Sequence, residues 1–299
     1  MAATLIDGKA LAAEIRERVT QDAEALRNEG RPPCLAAVLL GNDPAAASYA
    51  QSQAKHASAV GIEYRLVELP TDAAMKDAVA AIAALNGDPS VSGIMLHLPV
   101  PDGLDAFALQ QTIAVGKDVE GVGAANLGLL VMGKETLVPC TAAAAFACLK
   151  STGLDITGKE VVVVGRSVIV GKPLAMLLLA AHATVTQCHT RTKDLAAHTR
   201  RADILVAAAG AVGLIGAEHV SPGAVVIDVG THRVPTTDAE GNRKMKTVGD
   251  VRFDEVTPIA QAITPVPGGV GPVTVAMLLS NTVAACRNQR GKRTERPRD

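Results

Sequence analysis

The chain of 299 residues contains no tryptophan, only two tyrosines and three phenylalanines. That shortage removes the aromatic platforms on which single-stranded nucleic acids stack. Excess charge is missing too. Lys and Arg number 29 against 30 Asp and Glu, a formal net charge of −1, so no global field draws the protein to nucleic acid or to an anionic membrane. Its five cysteines (Cys34, Cys140, Cys148, Cys188 and Cys286) show no C-x-x-C spacing and read as reduced, mostly buried thiols of a cytosolic protein. No H-E-x-x-H or Cys/His pattern of a zinc site occurs, and His56, His182, His198 and His219 read as surface or capping residues. The N-terminus lacks the charged and apolar regions of a secretion signal, and Gly, His or charge interrupts each apolar run short of a membrane span. The expectation is a cytoplasmic protein with small-molecule partners, no nucleic acid and no membrane.

What is present is a chain 48% hydrophobic and 20% charged, long enough for two cores of ordinary domain size. Short β-branched or Leu-rich runs alternate with Ala-rich helical stretches, the pattern of an α/β protein with parallel sheets. In the first half this reading puts strands at 34–40, 64–69 and 93–98, with helices at 10–28, 44–60 and 73–85. A second series follows Pro139, with strands at 160–164, 184–188, 204–208 and 225–229. The Gly-rich stretch between Asp118 and Pro139 is the expected boundary. The domains are therefore expected at 1–138, completed by a last apolar helix at 274–286, and at 139–273, with a polar tail at 287–299. Asp203 and Asp228, beside strands, read as structural.

Residues Val161-Val-Val-Val-Gly-Arg-Ser-Val-Ile-Val-Gly171 place a buried strand directly before a glycine turn and a helix. Such a turn lets backbone approach a phosphate closely, and the helix N-terminus contributes free N–H groups and the positive end of its dipole. The spacing G-x-x-x-x-x-G departs from the common G-x-G-x-x-G, so an ordinary strand–turn–helix corner remains open on this segment alone. The next strand ends in Cys188-His-Thr-Arg-Thr192. An NAD enzyme keeps an acid near there for the ribose 2′-hydroxyl. Here hydroxyls and a cation stand instead, and Arg166 adds a group that pairs bidentately with phosphate. NADP is favoured over NAD.

Three motifs then act together: Val164-Gly165-Arg166-Ser167-x-x-Val170-Gly171-x-Pro173, Ala183-Thr-Val-Thr-x-Cys-His189, and Thr264-Pro-Val-Pro-Gly-Gly-Val-Gly-Pro272-x-Thr274. With Ile6-Asp-Gly-Lys9 and Pro139-Cys-Thr141, they make the chain resemble the bifunctional methylenetetrahydrofolate dehydrogenase/cyclohydrolase family from about Leu5 to Cys286. The resemblance implies a homodimer with an N-terminal folate-binding domain and a C-terminal Rossmann-type domain, tetrahydrofolate lying in the cleft between them. It implies hydride transfer from 5,10-methylenetetrahydrofolate to NADP, then hydration of the methenyl product to 10-formyltetrahydrofolate. It places NADP contacts at Gly165, Arg166, Ser167, Thr190 and Thr231. Thr190 stands where Ser is usual, and Thr231 where the family's Gly-Ile-Asn has Ile. Folate contacts fall on Tyr49, His97, Glu120, Pro267, Gly268 and Gly269.

The chemistry departs from the family on the helix opened by Asp43-Pro44. The family pattern there is Tyr-x-x-x-Lys; here Tyr49 is followed by Gln53, and Lys55 lies about 200° around the helix from it. An amide neither titrates nor shuttles a proton. The family's Gln-Leu-Pro becomes His97-Leu98-Pro99 and its Asp-Val-Asp-Gly becomes Asp118-Val119-Glu120-Gly121. Tyr49, Gln53, His97 and Glu120 are the candidate catalytic group, with His97 taking part of the lost acid–base role, since imidazole titrates near neutral pH. The first reading is a methylenetetrahydrofolate dehydrogenase with weak or absent cyclohydrolase activity. The alternatives are an NADP-dependent oxidoreductase acting on another small substrate, and a non-catalytic NADP- or folate-binding protein.

Overall fold

The computed structural model describes residues 3–134, 136–237, 241 and 243–289. The polar tail expected at 287–299 lies outside the described residues from position 290 onward. Eleven strands occur among the described residues: β1 (Thr4–Leu5), β2 (Cys34–Leu40), β3 (Glu63–Leu69), β4 (Gly93–Leu96), β5 (Glu160–Val164), β6 (Thr184–Cys188), β7 (Ile204–Ala207), β8 (Val225–Asp228), β9 (His232–Thr237), β10 (Arg243–Val248) and β11 (Ala262–Ile263). The chain divides into two compact units. One joins Glu14–Cys140 to the chain from Val275 onward; the other joins the chain up to Ala13 to Thr141–Thr274.

In the first unit, β2 lies between β3 and β4, all parallel. Every residue of β2 is buried, which is why it reads as an unbroken apolar run rather than an alternation. Side chains of successive residues point to opposite faces. Cys34, Ala36, Val38 and Leu40 join Ala78, Ile82 and Leu85 of the helix Met75–Gly87 in one core. The other face presents Leu35, Ala37 and Leu39 with their register partners, and the helix Pro44–Ala59 packs on β2 and β3. That helix starts where its sequence says it should. Asp43 caps it by accepting from the Ala46 amide at 2.8 Å, and Pro44 occupies the first turn, where no N–H is needed. Asp118 bridges in parallel to Ile94, so the segment after it runs beside β4. Gly93 allows this, because a Cβ there would sit 2.2 Å from Val119.

The second unit holds a six-stranded parallel sheet in the order β1-β11-β8-β7-β5-β6. The chain leaves β5 for β6 on one side and returns to β7 on the other, so the connections part beyond the carboxyl ends of β5 and β7. Ligands of open α/β sheets bind at such a switch point. Val162, Val164, Leu205, Ala207, Val226 and Ile263 build the core on one sheet face. The hairpin β9–β10 stands apart as a separate antiparallel pair, mostly exposed.

β1 pairs with β11 in the nucleotide-type sheet, and the described residues up to Ala13 group with that unit. One expectation is corrected here. No apolar run was expected to reach membrane-span length, yet the last helix extends over Val270–Asn288 and is long and apolar enough, by length and composition, to cross one. Half of that helix is buried, as a core helix is. It begins four residues earlier than the sequence suggested because Pro272 sits in its first turn, where proline costs no hydrogen bond.

Candidate active site

The face of the β3-β2-β4 sheet beneath the helix Pro44–Ala59 gathers the polar groups of the first unit. Tyr49 and Gln53 are four residues apart on that helix and share one side of it. Gln53 is 1% exposed and donates through Nε2 to the Tyr49 hydroxyl at 2.7 Å; Tyr49 itself is half exposed. His97 follows β4, is 2% exposed, and takes its backbone register from an amide bond to the Val38 carbonyl at 2.9 Å. The Tyr49 ring meets the His97 ring edge-on, with centroids 5.8 Å apart. Burial lowers the His97 pKa and raises that of Tyr49, which holds both neutral at pH 7.

Glu120 closes the group, one strand-width beyond β4. Its Oε2 accepts the Leu96 amide at 3.3 Å. Burial, aided by the nearby Asp118 charge and opposed by that amide, pushes its pKa up to about 7. Asp118 is 1% exposed and anchors the segment, its Oδ2 accepting from the Gly123 amide at 2.8 Å and from Asn126 at 2.9 Å. From the last helix, Asn281 donates to the Val119 carbonyl at 2.8 Å and the Val138 carbonyl at 3.0 Å, which fixes the backbone on either side of Glu120. Buried polar atoms ordinarily find partners. Three buried side-chain atoms among the described residues have none, and two of them, Gln53 Oε1 and Asp118 Oδ1, belong to this cluster. They mark where water or a ligand would complete the bonding.

A residue that the sequence reading passed over also belongs here. Tyr64, on β3, lies on the same sheet face as Ala37 and His97, and its hydroxyl stands 3.2 Å from His97 Nε2. Its position within a strand hid it. The usable signal was its rarity, as one of only two tyrosines in the chain.

In the second unit, β5 runs into Gly165 at the switch point. Gly165 has φ +129°, and a Cβ on it would stand 2.0 Å from the Ala208 carbonyl oxygen, so only glycine fits. Gly171 opens the following helix under a similar demand: its Cβ would meet the Gly165 oxygen at 2.2 Å. Ser167 Oγ accepts the Val170 amide at 3.2 Å and shapes the entry to that helix. Arg166 and Ser167 are exposed on the turn, as is Thr190 beyond the end of β6. The Cys188–Thr192 segment is a tight turn held by the His189 amide on Thr192 Oγ1 at 2.9 Å. No acid occurs in it, and Arg191 and Lys193 are exposed beside Thr190. This cradle fits a dinucleotide with a ribose 2′-phosphate: close backbone at Gly165, a helix N-terminus, and hydroxyl and guanidinium groups without a repelling carboxylate.

Thr231 is exposed beyond β8, and its flanks are clamped. Asp228 is buried, accepts the amides of Gly230, Asp250 and Val251 at 2.9–3.0 Å, and has its pKa raised by burial to about 6. Asp250 is wholly buried and accepts the amides of Ala209, Gly210 and Ala211 at 2.6, 2.9 and 3.0 Å. His232 Nε2 lies 2.7 Å from its Oδ1. The loops after β7 and β8 are thus tied to one carboxylate. The loop Thr264–Pro272 is seated equally tightly. The Asp228 amide donates to Thr264 Oγ1 at 2.7 Å, and the Gly269 carbonyl leaves Gly8 no room for a Cβ, which would lie 1.8 Å away. That contact accounts for the glycine of the Ile6-Asp-Gly-Lys9 segment.

The structure therefore brings Tyr49, Gln53, His97 and Glu120 together in one unit, and places Gly165, Arg166, Ser167, Thr190 and Thr231 around the sheet of the other. Pro267, Gly268 and Gly269 fall in the second of these. Lys55 is exposed and takes no part in the Tyr49 cluster.

Residues 6–120 match the model of the tetrahydrofolate dehydrogenase/cyclohydrolase catalytic domain, and residues 139–290 that of the NAD(P)-binding domain of the same family. Bifunctional protein FolD 1 of Rubrobacter xylanophilus is 48% identical over 285 residues, covering 95% of this chain and 98% of that protein. The crystal structure of the bifunctional FolD methylenetetrahydrofolate dehydrogenase/cyclohydrolase of Campylobacter jejuni superposes with a TM-score of 0.90 at 42% identity, covering 96% of this chain and all of that one. The Trypanosoma brucei dehydrogenase–cyclohydrolase, solved with NADP and an inhibitor, gives 0.88 at 38% identity over 97% of this chain and 99% of its own. Matched along both units, this chain belongs to the tetrahydrofolate dehydrogenase/cyclohydrolase family.

Proposed function

We propose that the protein is an NADP-dependent 5,10-methylenetetrahydrofolate dehydrogenase whose hydration of the methenyl product is slow. The observation that carries the reading is Gln53, buried and bonded to Tyr49 where the resemblance calls for a lysine. NADP, when bound, supplies the acceptor for the hydride that leaves the methylene carbon, and this half-reaction demands no proton transfer. What the chain must do for it is position the pterin and exclude water. Tyr49, held by Gln53, offers a neutral phenol. Glu120 offers a carboxyl group that accepts from pterin N–H groups when ionised and also donates when protonated. Arg166, Ser167 and Thr190 would hold the 2′-phosphate and Gly165 the pyrophosphate, with Thr231 on its clamped loop beside the nicotinamide.

Hydration differs. Adding water to the methenyl carbon requires that a proton leave the water and that a ring nitrogen later gain one. Gln53 does neither. Of the cluster, Glu120, with its pKa near 7, can take or give a proton, and His97, held neutral by burial, can offer an N–H, so the residual activity rests on these two. The test is incubation with methylenetetrahydrofolate and NADP, following NADPH and the methenyl product separately. NADPH should form while methenyltetrahydrofolate accumulates, and Gln53→Lys should shorten the lifetime of that intermediate. Methenyl product that vanishes as fast as NADPH appears would overturn the reading. Cytoplasmic residence and a homodimer, both expected from the sequence, belong to the same proposal; sedimentation at micromolar concentration tests the dimer.

A further inference from the structure

Both tyrosines of this aromatic-poor chain lie against one histidine, yet they touch it differently. Tyr49 meets the ring by its edge, whereas Tyr64 reaches Nε2 with its hydroxyl at 3.2 Å. Among the described residues this is the imidazole's one hydrogen bond. The reach crosses β2, which presents Ala37 between the two strands; a larger residue there would fill the path. Burial raises the Tyr64 phenol to about 12, so it is protonated at any physiological pH. An imidazole nitrogen is a stronger acceptor than a phenol oxygen, so of the two directions open to this pair the stronger runs from the Tyr64 O–H to Nε2. A ring nitrogen that accepts leaves the proton on its partner.

We propose that Tyr64 is a positioning residue for His97: it selects the Nδ1–H tautomer and turns Nδ1 into a fixed donor toward the folate pocket. The consequence rests on the proposed folate chemistry, but the tautomer does not. A neutral Nδ1–H donates to a pterin or bridging heteroatom, as an amide N–H would. This explains how a histidine serves where the family resemblance has glutamine.

The experiment is long-range proton–nitrogen NMR of the histidine side chains in the full-length protein, with His97 assigned by its loss in His97→Gln. The wild type should show His97 as the Nδ1–H tautomer, and Tyr64→Phe should shift it toward the Nε2–H form that free imidazole prefers. Tyr64→Phe keeps the ring and removes only the hydroxyl, and an unchanged circular-dichroism spectrum reports an intact fold. In steady-state assays Tyr64→Phe should lower kcat for methylenetetrahydrofolate about tenfold, the worth of one ordinary hydrogen bond. It should have no further effect in a His97→Gln background. An Nε2–H tautomer in the wild type, or a Tyr64→Phe effect that persists without His97, overturns the proposal. If the tautomer is as stated but the folate is not turned over, the positioning stands and the substrate reading alone fails.

Discussion

Replacing Glu120 with glutamine should abolish a stability change that the wild type shows between about pH 4.5 and pH 7. The carboxyl moves from its ordinary 4.5 to about 7 on folding, mainly because burial penalises the charge, with Asp118 adding to it and the Leu96 amide opposing. A group whose folded pKa is raised binds more protons in the native state. Its contribution is therefore full below pH 4.5 and is lost as pH rises through 7. At about 1.4 kcal/mol per pKa unit, the loss is on the order of 3 kcal/mol. For a unit of this size that corresponds to roughly 6–12 °C in melting temperature. Glutamine keeps an oxygen for the Leu96 amide and does not titrate, so other ionisable groups cancel when the two proteins are compared at each pH. The assay is thermal unfolding by circular dichroism at pH 5 and pH 8. The variant should gain on the wild type by several degrees at pH 8 relative to pH 5. An equal difference at the two pH values would mean that Glu120 titrates like an exposed glutamate, and the account of its burial would be refuted.

Two further outcomes are expected. Arg166→Gln should raise KM for NADP about ten- to a hundredfold while leaving KM for NAD within about twofold, because the lost partner is the 2′-phosphate; initial rates with each nucleotide decide it, and an equal rise for both would place Arg166 elsewhere. Asp250→Ala strips the acceptor from the Ala209, Gly210 and Ala211 amides and from His232, and should cost about 3–5 kcal/mol by urea unfolding; a cost under about 1 kcal/mol would show that water replaces the carboxylate freely.

The buried parallel strands were legible in the residues alone. Runs such as Val161–Val164 and Cys34–Leu40 are apolar on both faces and bounded by turn residues, and the structure returns strands there with little change of boundary. Asp43-Pro44 announced its helix in the same way, since capping is chemistry between neighbours. The glycine turn after β5 and the missing acid after β6 were readable because both are local. Other features depend on partners far along the chain. Two residues at Thr4–Leu5 make a strand only because β11, more than 250 residues later, has an open edge for them. Nothing in Arg243–Val248 alternates strongly enough to declare the hairpin, which pairing with β9 alone creates. Tyr64 became part of the site when three strands lined up in register and a helix brought Tyr49 onto the same face. Residue identity decided which groups were available for chemistry, because propensity, caps and turns act over a few positions. Their charge states and hydrogen-bond partners were decided only by folding, because burial and register are set by residues distant in the chain.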